Sequence, residues 1–482
     1  MGFVTPFLIY RKQKVTSLII SLARKIKKEV TMLNSIIKEL NLKEEDIEFP
    51  IESISSENSE DYVIVLKKMT HICPNCGSLV DKVKDYTMRK IKHKIFEKRN
   101  TIIYYKCRRF ICPNCNKTFI ERHTFGNQKR QLSASIIDSI LKELKPYNST
   151  FSSVARRFNV SATTVISIFD KHVQVERKTL TEILCWDEFY FNRHSKSKYA
   201  FTIMDFEKKV ILDIVESRRE DTLTNYFSNI PKEERMIVKY IIIDMYKTYK
   251  ELAHIFFKNA IVCIDPFHVT RKVNDSLNAQ RKYVMRKYSS DKESKEYRLL
   301  KHSYKVLLKD GHELEIEKRK YSKILGYSLT EKALLERLLE IDEDLKLAYH
   351  LKERFLEFND SDETSFTTRK DKEIELNLLI RSMNLSNIKS MQDCAKTLKN
   401  WKKEILNSFI WVNGRRLSNG PIEGKNAYIK KIISNANGLN NFERARNKFM
   451  YSQNLYEKYS ITEHKHSIKR KGSPRGPYKN KK

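Results

Sequence analysis

The segments Ile183-Leu-Cys-Trp-Asp187-Glu-Phe-Tyr190 and Val238-Lys-Tyr-Ile-Ile-Ile-Asp244-Met-Tyr-Lys247 decide how this chain folds. Each is a β-branched, aromatic run of strand length, and each delivers one aspartate where the apolar run gives way. An ionised carboxylate beside an apolar strand is costly unless something compensates it, and a divalent cation is the usual compensation. Between the two, Tyr199-Ala-Phe-Thr-Ile-Met-Asp205 and Lys209-Val-Ile-Leu-Asp-Ile-Val215 read as further strands. Asp221-Thr-Leu-Thr-Asn-Tyr-Phe227 reads as a capped amphipathic helix. A helix over 248–257 and a strand over 259–265 follow.

Three strands, then helix, strand, helix and strand is the order of an RNase H-like sheet. In that topology the first and fourth strands are neighbours, so Asp187 and Asp244 are expected to meet. A third acid stands far downstream, in Ser418-Asn-Gly-Pro-Ile-Glu423-Gly-Lys-Asn426. The Ser-Asn-Gly-Pro turn stops one element, and Glu423 opens the helix that continues to 433. Two Asp and one Glu are oxygen ligands suited to a pair of Mg²⁺ (or Mn²⁺) ions about 3.5–4 Å apart, one activating water and the other supporting the leaving oxygen. Taken singly, either aspartate suits a strand-end acid of an ordinary α/β domain equally well. Three acids in this order favour the metal.

Trp186-Asp187-Glu188, the apolar run into Asp244, Asp265-Pro-Phe-His268-Val and Ser418-Asn-Gly-Pro-Ile-Glu423-Gly resemble the DDE transposases of the bacterial ISL-three insertion-sequence family. The resemblance runs from about Met32 to Tyr451. It implies Asp187, Asp244 and Glu423 as the catalytic triad, on an RNase H-like fold interrupted by a helical insertion. Asp265-x-x-His268 is similar to an acid-x-x-His pattern that several DDE transposase families carry. It makes His268 a candidate contact to the scissile phosphate or a flipped base, with simple helix capping as the alternative.

A chain of 482 residues is too long for one core, and two to four domains are expected. Lys and Arg number 93 against 60 Asp and Glu, a formal charge of +33. Part of the Lys bias belongs to a Lys-, Ile- and Asn-rich composition. The excess still points to an acidic polymer as partner, nucleic acid before a membrane surface. The eight cysteines do not form a disulfide framework and fit a reducing cytoplasm. No apolar run reaches the length of a membrane span.

Cys73-Pro-Asn-Cys76-Gly and Cys112-Pro-Asn-Cys115-Asn are two knuckles whose four thiolates satisfy tetrahedral Zn²⁺, with the strand Ile102–Tyr105 returning the chain to close a ribbon. Such a closed site folds the module and leaves no position for catalysis. Cys107 reads as a packed strand cysteine and His123 as an exposed loop histidine. The cationic run Lys82–Arg99, with Tyr86 and Phe96, suits phosphate contacts, or else a solvated face. Downstream, 149–169 reads as two capped helices joined at Asn159-Val160, a helix-turn-helix. Its second helix would enter the major groove with Ser161, Thr163 and Thr164 toward bases. A plain three-helix packing unit is the alternative.

The expected plan is multidomain α/β. Residues 1–31 are either an upstream misreading of the start codon or part of the chain. A helix and strand occupy 32–70, the zinc ribbon 71–128 and the helix-turn-helix 129–175. The RNase H-like core takes 180–273 and 411–460 and is split by an all-α insertion over 274–410. A basic, disordered tail spans 461–482. Trp401 and Trp411 are expected in the core rather than on unpaired bases. Arg415, Arg416 and Lys425 are expected on DNA phosphates around the acids. The whole reads as a transposase of the cytoplasm and nucleoid. It would bind double-stranded DNA at terminal inverted repeats, free a 3′-hydroxyl and join it to target DNA, as a homodimer or larger. The rivals are a non-enzymatic zinc-ribbon and helix-turn-helix regulator with an inactive RNase H-like domain, and a structure-specific nuclease.

Overall fold

The computed structural model describes residues 42–453 and positions 34, 37, 38 and 40, apart from 49–51, 56–58, 97–98, 122–130, 193–196, 362–367 and 437. The expected extension 1–31, most of the helix over 32–40, His123 and the tail 461–482 lie outside the described residues, as does the Phe96 side chain. The chain divides into two compact units between Gln174 and Val175.

In the first unit the strands Val83–Phe96 and Arg99–Ile111 form one long antiparallel hairpin. Ser59–Ile64 pairs in parallel with the second of them, and Glu52–Ser55 lies beyond it. Ile103, Tyr105 and Cys107 alternate along the strand and face inward with Ile91, Tyr62 and Ile64, the period of two that a half-buried strand requires. Cys107 is packed there, its thiol donating to the Thr87 carbonyl at 3.2 Å. Three helices follow, Ala134–Glu143, Phe151–Arg157 and Ala162–His172. Thr150 and Ser153 close a capping box on the second, and Ser161 accepts the Thr164 amide at 3.1 Å to cap the third. Asn159 turns the chain between them at φ 47°, a left-handed conformation that asparagine tolerates better than most residues.

The second unit is built on a five-stranded sheet. Its order across the sheet is Val210–Val215, Tyr199–Asp205, Ile183–Tyr190, Tyr240–Ile243 and Ile261–Ile264. The first three in sequence pair antiparallel, and the last two add in parallel. Cys185 is level with Ile242 across the parallel pair. Two residues further along both strands stand Asp187 and Asp244, so the register brings the two carboxylates side by side. Alternation then sends Trp186 to the opposite face, where it stacks on Phe227 at 4.8 Å between centroids and meets Phe201, Tyr249 and Phe257 edge-on.

Two expectations change. The region 274–410 is not wholly helical: Lys320–Ser322 and Tyr327–Leu329 form an antiparallel hairpin. Gly326 at φ 83° supplies the reversal there, and the tyrosines suit strand pairing. The region also has no core of its own. Helix Pro266–Lys287 runs across the expected boundary, and one apolar cluster extends from Trp186 and Phe227 through Val273 and Leu277 to Leu338, Phe355, Leu376 and Phe409. A smaller shift concerns the helix read from Asp221, which starts at Glu220 behind Arg219 with no side-chain cap. No helix among the described residues is long and apolar enough to cross a membrane.

Phe227 is fully buried at the centre of the aromatic cluster. Phe227→Ala is expected to cost about 3–5 kcal/mol of unfolding free energy, read by circular dichroism in a urea titration.

Candidate active site

Asp187 lies midway along Ile183–Tyr190 and Asp244 just past the end of its parallel neighbour Tyr240–Ile243, and with Glu188 they present carboxylate oxygens within 4.8 Å of one another. The three are not equivalent. Glu188 is compensated, paired with the Arg218 guanidinium and accepting the Tyr249 hydroxyl at 2.7 Å. Arg218 is itself held between the Tyr199 and Tyr246 rings, 4.6 and 5.2 Å from their centroids. Asp187 receives only neutral amides, and Asp244 takes the Asn419 amide and faces the His268 imidazole, neither of them with a lysine or arginine partner. Burial, and then the Asp244 charge, push the Asp187 carboxyl up to about 7. Burial, and then the Glu188 charge, push Asp244 up to about 7 as well.

The third predicted acid arrives on helix Gly420–Ala436, with Glu423 in its first turn as the sequence indicated. What docks that helix on the sheet is a pair of asparagines. Asn419 is completely buried, and its side-chain amide donates to Asp244 Oδ1 at 3.1 Å and to the Trp186 carbonyl at 3.0 Å. Its backbone amide donates to Asp265 Oδ1 at 3.0 Å. Seven residues on, two turns along the same helical face, Asn426 donates to Asp187 Oδ2 at 2.7 Å and accepts the Thr202 hydroxyl at 3.3 Å. Glu423 lies between them and remains partly exposed. Its Oε1 stands 3.9 Å from His268 Nε2, while that nitrogen lies 3.2 Å from Asp244 Oδ2. Burial, and next the Asp265 charge, raise the Glu423 carboxyl above its usual range.

Asp187 therefore meets Asp244, Asp244 meets His268, and Glu423 comes within 3.9 Å of His268. The sequence carries Glu188 and Asp265 only as members of family-like motifs with no role of their own, and it gives no role to Asn419 or Asn426. Asn419 and Asn426 flank Glu423 at −4 and +3, helix-face spacing that was readable in principle.

The basic residues expected on DNA are unequal. Arg415 is exposed, over the Phe206 ring at 5.4 Å. Arg416 is turned inward, its donors on Ser408 and Asn359 and its plane over Phe409 at 4.2 Å. Lys425 is half-buried, its ammonium pKa lowered by burial, beside Lys209 and Tyr428 in a cavity of about 390 Å³. Thr163 is exposed, while the Ser161 and Thr164 hydroxyls bond each other at 2.8 Å. Trp401 is buried as expected, but Trp411 is 48% exposed on the hairpin before the Glu423 turn.

In the first unit Cys73, Cys76, Cys112 and Cys115 offer sulfurs within 4.8 Å of one another. Cys73 and Cys115 approach to 3.6 Å, and Cys76 and Cys112 to 3.5 Å. Four sulfurs about 2.3 Å from one zinc stand about 3.8 Å apart, so the set fits structural Zn²⁺. The knuckles are built alike. The Gly77 amide donates to the Cys73 carbonyl at 3.0 Å and the Asn116 amide to the Cys112 carbonyl at 2.9 Å, each at positive φ.

A family model described as transposase, of the ISL3 DDE type, matches residues 184–449, more than half of the chain. The chain belongs to the ISL3 transposase family. A second model, the zinc finger of transposases IS204, IS1001, IS1096 and IS1165, matches residues 70–115 and takes in all four ribbon cysteines of this ISL3 chain. Among curated proteins, the transposase for insertion sequence element IS1001 of Bordetella parapertussis is 24% identical over 206 residues. The match covers 42% of this ISL3 chain and 50% of the relative, about half the relative's length.

Two outcomes are expected. The purified chain carries one zinc by elemental analysis, and Cys112→Ala loses it together with the near-ultraviolet signal of the ribbon. The aspartate pair gives the metal-free protein an unusual pH dependence. Both carboxyls titrate higher folded than unfolded, so between about pH 4 and 7 the native state binds more protons, and the pair's contribution to stability falls as pH rises. In the zinc-loaded chain with no other divalent ion added, the Asp187→Asn variant should lose less stability than the wild type as pH rises across that window, read as the difference in their melting temperatures.

Proposed function

We propose that this chain is a DNA transposase acting on the ends of an insertion sequence. It would cut a phosphodiester at the element end to free a 3′-hydroxyl and direct that hydroxyl at target DNA. We read the five-stranded sheet as RNase H-like, because its order and its mixture of antiparallel and parallel pairs follow that topology. What supports the reading is that Asp187 and Asp244 lie side by side, and that the helix bearing Glu423 docks on both through Asn419 and Asn426 with Glu423 3.9 Å from His268.

Paired, half-buried carboxylates with no lysine or arginine partner are suited to divalent ions. A pair of Mg²⁺ ions bound here would polarise the scissile phosphate and the attacking oxygen. In this proposal Asp187 and Asp244 hold the ions and keep them at fixed separation. Glu423 completes the set from the solvent side and orients the incoming water. His268, within reach of Asp244 and Glu423, would belong to the same cluster. Arg415 and Lys425 would lie along the DNA backbone, and Arg416 would hold the preceding hairpin in place rather than touch phosphate.

The ribbon and the helices Phe151–Arg157 and Ala162–His172 are read as the parts that recognise the terminal repeats. Exposed Lys82, Lys84 and Lys90 along the hairpin would supply phosphate contacts, and Thr163 a base contact. Two ends must be cut and joined together, so at least a homodimer on double-stranded DNA is proposed. The site of action would be the bacterial cytoplasm, at the nucleoid.

The test is a duplex spanning the junction of the element with its flank, incubated with the zinc-loaded chain and Mg²⁺. The wild type is expected to nick it at the element end, and Asp187→Asn to lower the rate by more than about a hundredfold while gel-shift affinity persists. Binding without metal-dependent nicking in the wild type would instead mark a DNA-binding regulator. Nicking with no joining of a pre-cut end to target would mark a structure-specific nuclease.

A further inference from the structure

The acid cluster holds more ligands than three acids supply, and they are not of one kind. Asp265 is 1% exposed and caps the strand next to Asp244. One of its oxygens accepts the Asn419 amide; the other, Oδ2, is buried with no hydrogen bond and lies 3.9 Å from His268 Nε2. Asp244, Asp265 and His268 present donor atoms within 4.8 Å of one another, a second group beside that of Asp187, Glu188 and Asp244. Asp244 belongs to both.

We infer that the cluster comprises two metal positions of unequal chemistry that share Asp244, the second being built by Asp265 and His268 and taking a transition-metal ion such as Mn²⁺ in preference to Mg²⁺. The inference rests on the metal-dependent reading above and adds ligands to it. The first position offers oxygen alone, the donor set that Mg²⁺ favours. The second adds an imidazole nitrogen, which Mg²⁺ takes poorly and first-row transition ions take well. Donors about 2.1 Å from one ion stand about 3 to 4 Å apart. His268 Nε2 is 3.2 Å from Asp244 Oδ2 and 3.9 Å from both Asp265 Oδ2 and Glu423 Oε1. Charge agrees. Of the five carboxylates Asp187, Glu188, Asp244, Asp265 and Glu423, only Glu188 has a lysine or arginine ion pair among the described residues. Four negative charges remain, which two divalent ions balance.

The sites can be counted without DNA or turnover. Mn²⁺ is titrated into the zinc-loaded full chain, and free Mn²⁺ is followed by its paramagnetic resonance signal. Two bound Mn²⁺ are expected, one displaced readily by Mg²⁺ and the other resisting at least about tenfold more Mg²⁺. Asp265→Asn and His268→Gln should each remove the resistant ion and leave the other in place. His268→Gln, at a partly exposed position, guards against a folding defect at buried Asp265. A single bound Mn²⁺ in the wild type overturns the inference, as does retention of two with uniform Mg²⁺ competition in both variants. A wild type that binds both ions as described yet nicks no DNA would leave the metal positions standing and overturn the transposase reading.

Discussion

Two like charges must be held side by side, half out of water, and the second unit is organised around that demand. Strand register alone sets Asp187 against Asp244, and nothing cationic stands between them. The fold answers with neutral donors: the Asn426 amide on one carboxylate and the Asn419 amide on the other. An amide relieves desolvation without cancelling charge, so the repulsion persists, and a divalent cation bound there would relieve it. A lysine in either position would have satisfied the same carboxylate and cancelled its charge. Glu188 shows that contrast a residue away, since Arg218 occupies it fully.

Behind the acids the sheet is stiffened by aromatic packing. Trp186 precedes Asp187 and points the other way, into Phe227, Phe201, Tyr249 and Phe257. Tyr249 then reaches through to Glu188 with its hydroxyl. The same cluster thus fixes the strand that carries Asp187 and one ligand of the Arg218 pair. Positioning of this kind depends on rings locked by close packing, and little of it is supplied by loops.

Much of this was legible in the chain itself. The strands bearing Asp187 and Asp244 are dense in Ile, Trp and Tyr, and such runs have few alternatives to a buried strand. The ribbon cysteines announce themselves by spacing, and the Ser418–Pro421 turn marks where the Glu423 helix starts. What stayed hidden are residues whose role exists only once distant segments meet. Asn419 and Asn426 look like ordinary turn and helix asparagines, and their partners lie 175 and 239 residues away. Asp265 reads as a strand end until its buried oxygen is seen to face His268. Helical periodicity over 274–410 marks the helices there but not the Lys320–Leu329 hairpin, and it says nothing about which face is shared, while the faces merge into the core of the sheet. Trp411 was misjudged because a two-residue strand offers no interior to enter.

The hydrogen bond from the Asn419 amide to Asp265 spans 154 positions, and it closes the long excursion between the parallel strands and the Glu423 helix like a clasp. A loop closed in this way can gain or lose residues at a distant exposed turn for an entropy that grows only as the logarithm of its length. The chemistry at its neck is thereby insulated from its size. Insertions or deletions at an exposed turn of the excursion should then leave the arrangement of acids unchanged.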